Sequence, residues 1–301
     1  MQDHAVEPDS ASRGLHELGA LVSPGRQIAG GPVHTGRLAR AYRSLRRLRF
    51  VSLLRPVGPL PLIVIIALCT PAAISVFVSL GLGVAHSDAA TPRLAQGALE
   101  TSSNWAGYVA SHGRFTSVSA SWVVPAVKVG TQPTEVAAVW VGIDGRGTRN
   151  LEQIGTLSAE LGGSPAYEVW FEVVPKAPVY VRMALSPGDS VTASVTTNGD
   201  GNFTLFIRNN TTHTAYSTLQ PSPGAELVTA EVVAEAPATV SGPSPLPDFG
   251  TLTFTNARVD GRPIGTFNWD RLSMSAYTTR QAVTSPLARD ADTFSVTWKH
   301  E

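Results

Sequence analysis

Apolar and polar positions alternate with a period of two along much of the chain beyond residue 100, the spacing of strands with one buried face. Ser117-Val-Ser-Ala-Ser-Trp-Val123 runs this way before Pro125, and Ser190-Val-Thr-Ala-Ser-Val-Thr-Thr197 alternates into Asn198-Gly-Asp-Gly201. That turn leads to Asn202-Phe-Thr-Leu-Phe-Ile-Arg208, so the two runs read as a β-hairpin. Tyr167–Val174 is aromatic and β-branched and stops at Pro175. Further strands are expected at Ala215–Leu219, Leu227–Glu235, Gly250–Thr255, Arg258–Ile264 and Asp292–Trp298. No segment after residue 100 keeps a helical apolar period for three turns. Many short strands separated by Gly, Pro and Asn predict an all-β domain over residues 102–301, built as an antiparallel β-sandwich.

Two adjoining runs depart from simple alternation. Ala137-Ala-Val-Trp-Val-Gly-Ile-Asp-Gly145 and Leu151-Glu-Gln-Ile-Gly155 read as neighbouring strands joined by a polar turn, yet they carry an indole, a carboxylate and a carboxamide. Asp144-Gly145 is an ordinary turn dipeptide, which accounts for the bend. It does not account for Gln153, which alone reads as a surface amide.

The amino-terminal third differs in composition. Residues 1–85 hold nine Arg, no Lys and four acidic residues. The whole chain balances at 23 basic and 23 acidic, so residues 86–301 carry 14 basic and 19 acidic. An acidic body lacks the clustered positive charge that nucleic acid requires, and no such partner is expected. Residues 1–55 form a basic leader expected to be disordered, and residues 56–85 an uncharged apolar run closing on Gly83-Val-Ala85. A basic region, an apolar region and a small-residue site make an export signal; the alternative is a retained membrane anchor with the body outside. Residues 86–101 read as a linker or short pro-segment. The only cysteine, Cys69, lies in the apolar run, so the body has no disulfide or thiolate ligand.

Several chemistries are missing from the sequence. No His-Glu-x-x-His, Gly-x-Ser-x-Gly or phosphate-loop pattern occurs, and after the leader only His86, His112, His213 and His300 remain, scattered. No metal and no cofactor is expected. Any enzymatic chemistry falls to carboxylates and amides. Glu231 and Glu235 are four apart and share one strand face, which must meet either solvent or a cleft. Glu168 and Glu172 share a face with Trp170, suiting a substrate-binding surface or an aromatic cover over the sheet. Glu152 and Gln153 are adjacent and point to opposite faces.

The order of these segments carries more than any one of them. Ser103-Asn-Trp-Ala-Gly107, Trp140-Val-Gly-Ile-Asp-Gly145, Gln153-Ile-Gly155, Tyr167-Glu-Val-Trp-Phe-Glu-Val-Val-Pro175 and Ala230-Glu-Val-Val-Ala-Glu235 together resemble the glutamic peptidases, or eqolisins. The resemblance implies a concave, lectin-like β-sandwich endopeptidase working at acidic pH on polypeptides, with a Gln/Glu dyad. Motif by motif, Gln153 and Glu235 fall on the dyad, and Trp105, Trp140, Asp144, Trp170 and Glu172 fall on positions lining or supporting the cleft, with Asn104 beside Trp105. Val173 and Val174 stand where the family often carries an aromatic pair.

The implied chemistry is self-consistent. A carboxylate at Glu235 can take a proton from water and return it to the leaving amine, while the Gln153 amide donates to the oxyanion. A neutral amide beside a Glu imposes no like-charge shift, so the base is expected to ionise near the ordinary Glu value of roughly 4. Glu152→Gln is expected to be mild for activity. A secreted monomer is the resulting expectation. The rival readings are a glycan-binding or adhesion module using the Trp residues and a glycosidase using Glu172 and Glu235, which would leave Gln153 without a part.

Overall fold

The computed structural model describes residues 97–299 apart from 129, 131–133, 162, 240–241 and 277–278. The basic leader, the apolar run with Cys69 and most of the 86–101 segment lie outside the described residues. Among those described, no helix is long and apolar enough to cross a membrane.

The domain is all-β. Its strands are β1 (Ala98–Ser102), β2 (Trp105–Ser111), β3 (Ser117–Val123), β4 (Thr134–Asp144), β5 (Leu151–Leu161) and β6 (Pro165–Val174). Then come β7 (Val179–Val181), β8 (Ser190–Thr197), β9 (Asn202–Asn209), β10 (Thr214–Pro221), β11 (Ala230–Glu235), β12 (Ala238–Thr239) and β13 (Gly242–Pro243). The chain ends with β14 (Thr251–Val259), β15 (Arg262–Pro263), β16 (Asn268–Ala276), β17 (Thr279–Thr284) and β18 (Phe294–Trp298).

The main sheet is antiparallel as expected but continuous, ordered β10-β9-β8-β3-β14-β18-β17-β16-β2-β11-β4-β5-β6-β7, and β12 and β13 form a separate two-stranded ribbon. The main sheet doubles over, so that β8 and β9 meet β4 and β5, and β3 meets β4 and β11. The pairing is antiparallel except for β1, which lies parallel on β16 through Ala98↔Asp270 to Ser102↔Met274. The last residues of the expected linker are therefore strand.

Between the arms, Val118, Ala120 and Trp122 of β3, Val191, Ala193 and Val195 of β8, and Phe203, Leu205 and Ile207 of β9 pack with Val139, Val141, Ile154, Val169 and Phe171. Each such fully buried large side chain contributes about 1.5–3 kcal/mol. The Trp122 indole crosses the layer and donates to Thr156 Oγ1 at 3.0 Å, which satisfies both polar groups in the core.

The two arms differ in a way that explains their sequences. β3, β8 and β9 alternate buried with partly exposed residues. β4 and β5 are buried along nearly their whole length. Their second face carries another apolar cluster with Trp105, Val109, Val136, Ala138, Trp140, Leu151, Leu157, Trp170, Val233 and Leu272. A strand covered on both faces loses its alternation.

Two expectations need correction. The expected separate strand Arg258–Ile264 is the end of β14, a return at Asp260-Gly261 and the short β15. The expected break at Thr255 is a β-bulge: the register with β3 shifts between Thr255 and Arg258, with Asn256 at φ 51.

Candidate active site

The second face of the β2-β11-β4-β5-β6 segment gathers the polar residues singled out by sequence. β11 is no edge strand, because Glu235 pairs with Trp105 on β2 and Ala138 on β4. Both its carboxylates are buried, with Glu231 at 0% and Glu235 at 3% exposure. The solvated-edge reading of Glu231 and Glu235 is thereby overturned by a central strand position. Gln153, at 1% exposure, is likewise no surface amide.

Glu235 is held by two side-chain donors. The Trp140 indole N–H donates to its Oε2 at 2.8 Å and the Asn104 amide to its Oε1 at 3.1 Å. Trp105 packs edge-on against Trp140, with ring centroids 5.1 Å apart at 80°. Burial pushes the Glu235 carboxyl up to about 7, against the lowering pull of Trp140, Trp105 and Asn104. The expectation of an ordinary value near 4 fails, because desolvation outweighs the Trp140 and Asn104 bonds.

Gln153 lies opposite Gly142 on β4 and Glu172 on β6. Its Nε2 donates to Glu172 Oε2 at 2.8 Å. Its Oε1 is buried without a hydrogen-bond partner among the described residues. Burial, with the Glu235 charge adding to it, pushes Glu172 up to about 9 despite the Gln153 bond. The like-charge effect in the site thus falls on Glu172, from Glu235, and not on Glu235 itself. Neither carboxylate expected on the cleft face stands alone.

Gly155 makes room for the aromatic wall. It pairs with Trp140 on one side and Trp170 on the other, and a Cβ there would run into the Val139 carbonyl and the Trp140 side chain. Only a residue without a side chain lets the β4 backbone at Val139 and Trp140 come this close to β5. Glu168 shares the face of Trp170 and Glu172, and burial raises its carboxyl.

Asp144 lies at the end of the same run but is occupied with backbone. Its carboxylate accepts from the N–H groups of Glu226, Leu227 and Val228 at 2.8, 3.0 and 2.9 Å. Its left-handed φ of 64 starts the turn read from Asp144-Gly145. Glu152 points away from Gln153, as alternation requires, and accepts from Ser222 Oγ at 2.6 Å. Burial raises Glu152 to about 8, and it raises Glu231 well above the usual carboxylate range. At the rim, Arg146 in the β4–β5 turn pairs with Glu100 of β1 and with Asp270 of β16 at 3.6 Å. Sequence reasoning missed this ion group, which unites three segments distant along the chain. It also missed the Gln153–Glu172 bond, whose only sequence signal is the cross-strand register. Among the described residues no group of three or more His, Cys, Asp or Glu side chains could hold a metal ion.

The polar groups of this face can accept a proton at Glu235 and donate the remaining N–H of Gln153, among the indoles of Trp105, Trp140 and Trp170, which are themselves buried. Comparisons with known proteins point to a peptidase family. A sequence model described as "Peptidase A4 family" matches residues 103–298. Aspergillopepsin-2 of Aspergillus niger is 28% identical over 181 residues, covering 52% of this chain and 64% of the relative. Scytalidopepsin B of Scytalidium lignicola is 32% identical over 115 residues, covering 36% of this chain and 41% of the relative. The chain thus spans just under two thirds of the first relative and about two fifths of the second. The fold is similar to scytalido-glutamic peptidase solved with a peptide-based transition state analog, with a TM-score of 0.57 at 24% identity, covering 66% of this chain and all of that one. It is also similar to SCP-B, a member of the eqolisin family solved with the tripeptide Ala-Ile-His, with a TM-score of 0.54 at 22% identity over 66% of this chain and 100% of that chain.

Proposed function

This chain belongs to the Peptidase A4 family, the glutamic peptidases, and from that premise we propose that it is an endopeptidase hydrolysing polypeptides with Glu235 and Gln153. The observation that carries the proposal is the paired placement of these two side chains on one buried, tryptophan-lined face. Glu235 sits under the Trp140 and Asn104 donors, and Gln153 is anchored by Glu172.

In the proposed reaction a peptide lies along this face, the concave side of a lectin-like sandwich, with Trp105, Trp140 and Trp170 as apolar walls. Glu235 as carboxylate takes a proton from water as that water attacks the scissile carbonyl. The new C–O bond leaves charge on the carbonyl oxygen, and the free N–H of Gln153 donates to it. One such preorganised donor is typically worth about 3–4 kcal/mol. Glu235 then returns its proton to the amine nitrogen as the C–N bond breaks.

The raised Glu235 carboxyl bears on pH. Base action needs its ionised form, and burial in the closed face holds it near 7. Water entering with substrate relieves that desolvation while the Trp140 and Asn104 bonds persist, which moves the group back toward its ordinary value. Activity is therefore proposed on the acid side of neutrality. We also propose that residues 56–85 export the body, which acts as a monomer on extracellular protein.

The test is cleavage of denatured casein by Glu235→Gln and Gln153→Ala across roughly pH 3–7, with circular dichroism as the check on folding. Both variants are expected to fold and to lose cleavage. Full activity in either removes that residue from the chemistry.

A further inference from the structure

We propose that Glu172 is a positioning residue for Gln153, fixing the rotation of the amide so that its nitrogen end is anchored and its remaining N–H and its oxygen are left for the reacting groups. The inference rests on the Gln153/Glu235 reading and goes beyond a place in the cleft wall.

The geometry supplies three parts. Gln153 and Glu172 are directly opposed in the β5–β6 ladder and project from the same face, so their separation is set by backbone register. The Gln153 Nε2 to Glu172 Oε2 distance is 2.8 Å, and the two residues are 1% and 2% exposed. Gln153 Oε1 has no partner among the described residues, so no second bond there holds the amide in one orientation.

An anchor matters because the terminal torsion of Gln is broad and roughly two-fold. Free to rotate, the amide would offer oxygen as readily as nitrogen toward a developing oxyanion, and oxygen there repels. A carboxyl oxygen opposite Nε2 favours one of the two arrangements. The carboxyl need not be charged to do this. Glu235 faces it from β11, Glu168 shares its strand face, and burial with the Glu235 charge keeps the Glu172 proton on up to about 9. Glu172 is therefore neutral across the range in which Glu235 ionises, and a Gln at 172 is close to isosteric with it while still offering a carbonyl acceptor.

That equivalence gives the experiment. Steady-state kinetics on a fluorogenic peptide and pH–rate profiles are measured for Glu172→Gln, Glu172→Leu and Glu172→Asp, with thermal melts of each. Removal of one oxyanion donor costs about 10²–10³-fold in kcat. Glu172→Leu is expected to lose on the order of 10²-fold in kcat with KM changed less than about threefold. Glu172→Gln is expected to restore kcat to within a few-fold, with the pH limbs unmoved. Glu172→Asp, one methylene short, is expected to fall between, and it carries the test if the Leu variant fails to fold. A raised KM with unchanged kcat in the Leu and Asp variants would overturn the inference in favour of direct substrate contact. A shifted acid limb in Glu172→Gln would overturn it by showing that Glu172 is ionised at the working pH. Wild-type kcat in Glu172→Leu, with Gln153→Ala inactive, removes Glu172 alone; an active Gln153→Ala removes the underlying reading instead.

Discussion

Glu152→Gln is the sharpest probe of how this domain tolerates pH. Glu152 is 0% exposed, accepts from Ser222 Oγ at 2.6 Å, and is raised from 4.5 to about 8, first by burial and further by the Asp144 charge. Glu231 and Asp144 are the other carboxyl groups that face it. The sign follows from proton binding. Folded Glu152 keeps its proton where the unfolded chain has lost it, so its contribution is complete below about 4.5 and is lost as pH rises toward about 8. One such group changes stability by about 1.4 kcal/mol per pH unit within that window. Across the full window this reaches ~5 kcal/mol as an upper bound, and local opening to water brings it to ~2–4 kcal/mol. Glutamine at 152 can still accept from Ser222 but leaves an amide N–H to be satisfied, which costs about 1–2 kcal/mol at low pH. The stability curves of the two proteins are therefore expected to cross. Guanidinium unfolding followed by tryptophan fluorescence at about pH 5, 6, 7 and 8 reads this directly. Wild type is expected to be the more stable at the lowest value and the variant at the highest. Parallel curves, with a difference independent of pH, would refute the argument.

Two further outcomes follow from single contacts. Trp140→Phe removes the N–H that holds the Glu235 carboxyl down, so the acid limb of the pH–rate profile is expected to move up by about one unit, since a hydrogen bond to a charged group is worth about 1.5–3 kcal/mol; a limb that stays put or moves down refutes it. Asp144→Ala strips the acceptor from three backbone N–H groups at positions 226–228, and a loss of about 3–5 kcal/mol in denaturant unfolding is expected.

How much was legible in the sequence depended on whether a strand has one covered face or two. β3 and β8 match their expected bounds because alternation marks a single buried face, and the Asn198–Gly201 turn fixed the hairpin with β9. β16 and β17 went unread: Asn268-Trp-Asp-Arg-Leu-Ser-Met-Ser-Ala276 is rich in residues depleted from strands, and its place between β2 and β17 is what holds it extended. The site shows the same limit. The order of motifs named Gln153, Glu235 and Glu172, but the burial of β11 depends on neighbours about a hundred residues away. Desolvation is a property of that packing, so the sequence alone suggests an ordinary Glu value for Glu235, whereas burial pushes it up to about 7.

The position of β11 also bears on how the domain comes together in time. Trp140, Gln153, Trp170 and Glu172 all belong to the β4–β7 meander, and the Gln153–Glu172 bond spans only 19 residues of chain. Glu235 reaches its donors across 95 and 131 residues, and it does so on a strand inserted between β2 and β4. Contacts of low sequence separation form first, because closing long loops costs entropy before any pairing repays it. The amide half of the site can thus assemble locally, whereas the carboxylate arrives only when a late, central strand is seated. On the proposed reading, a chain in which β11 is not yet seated would have no general base with which to cut its neighbours.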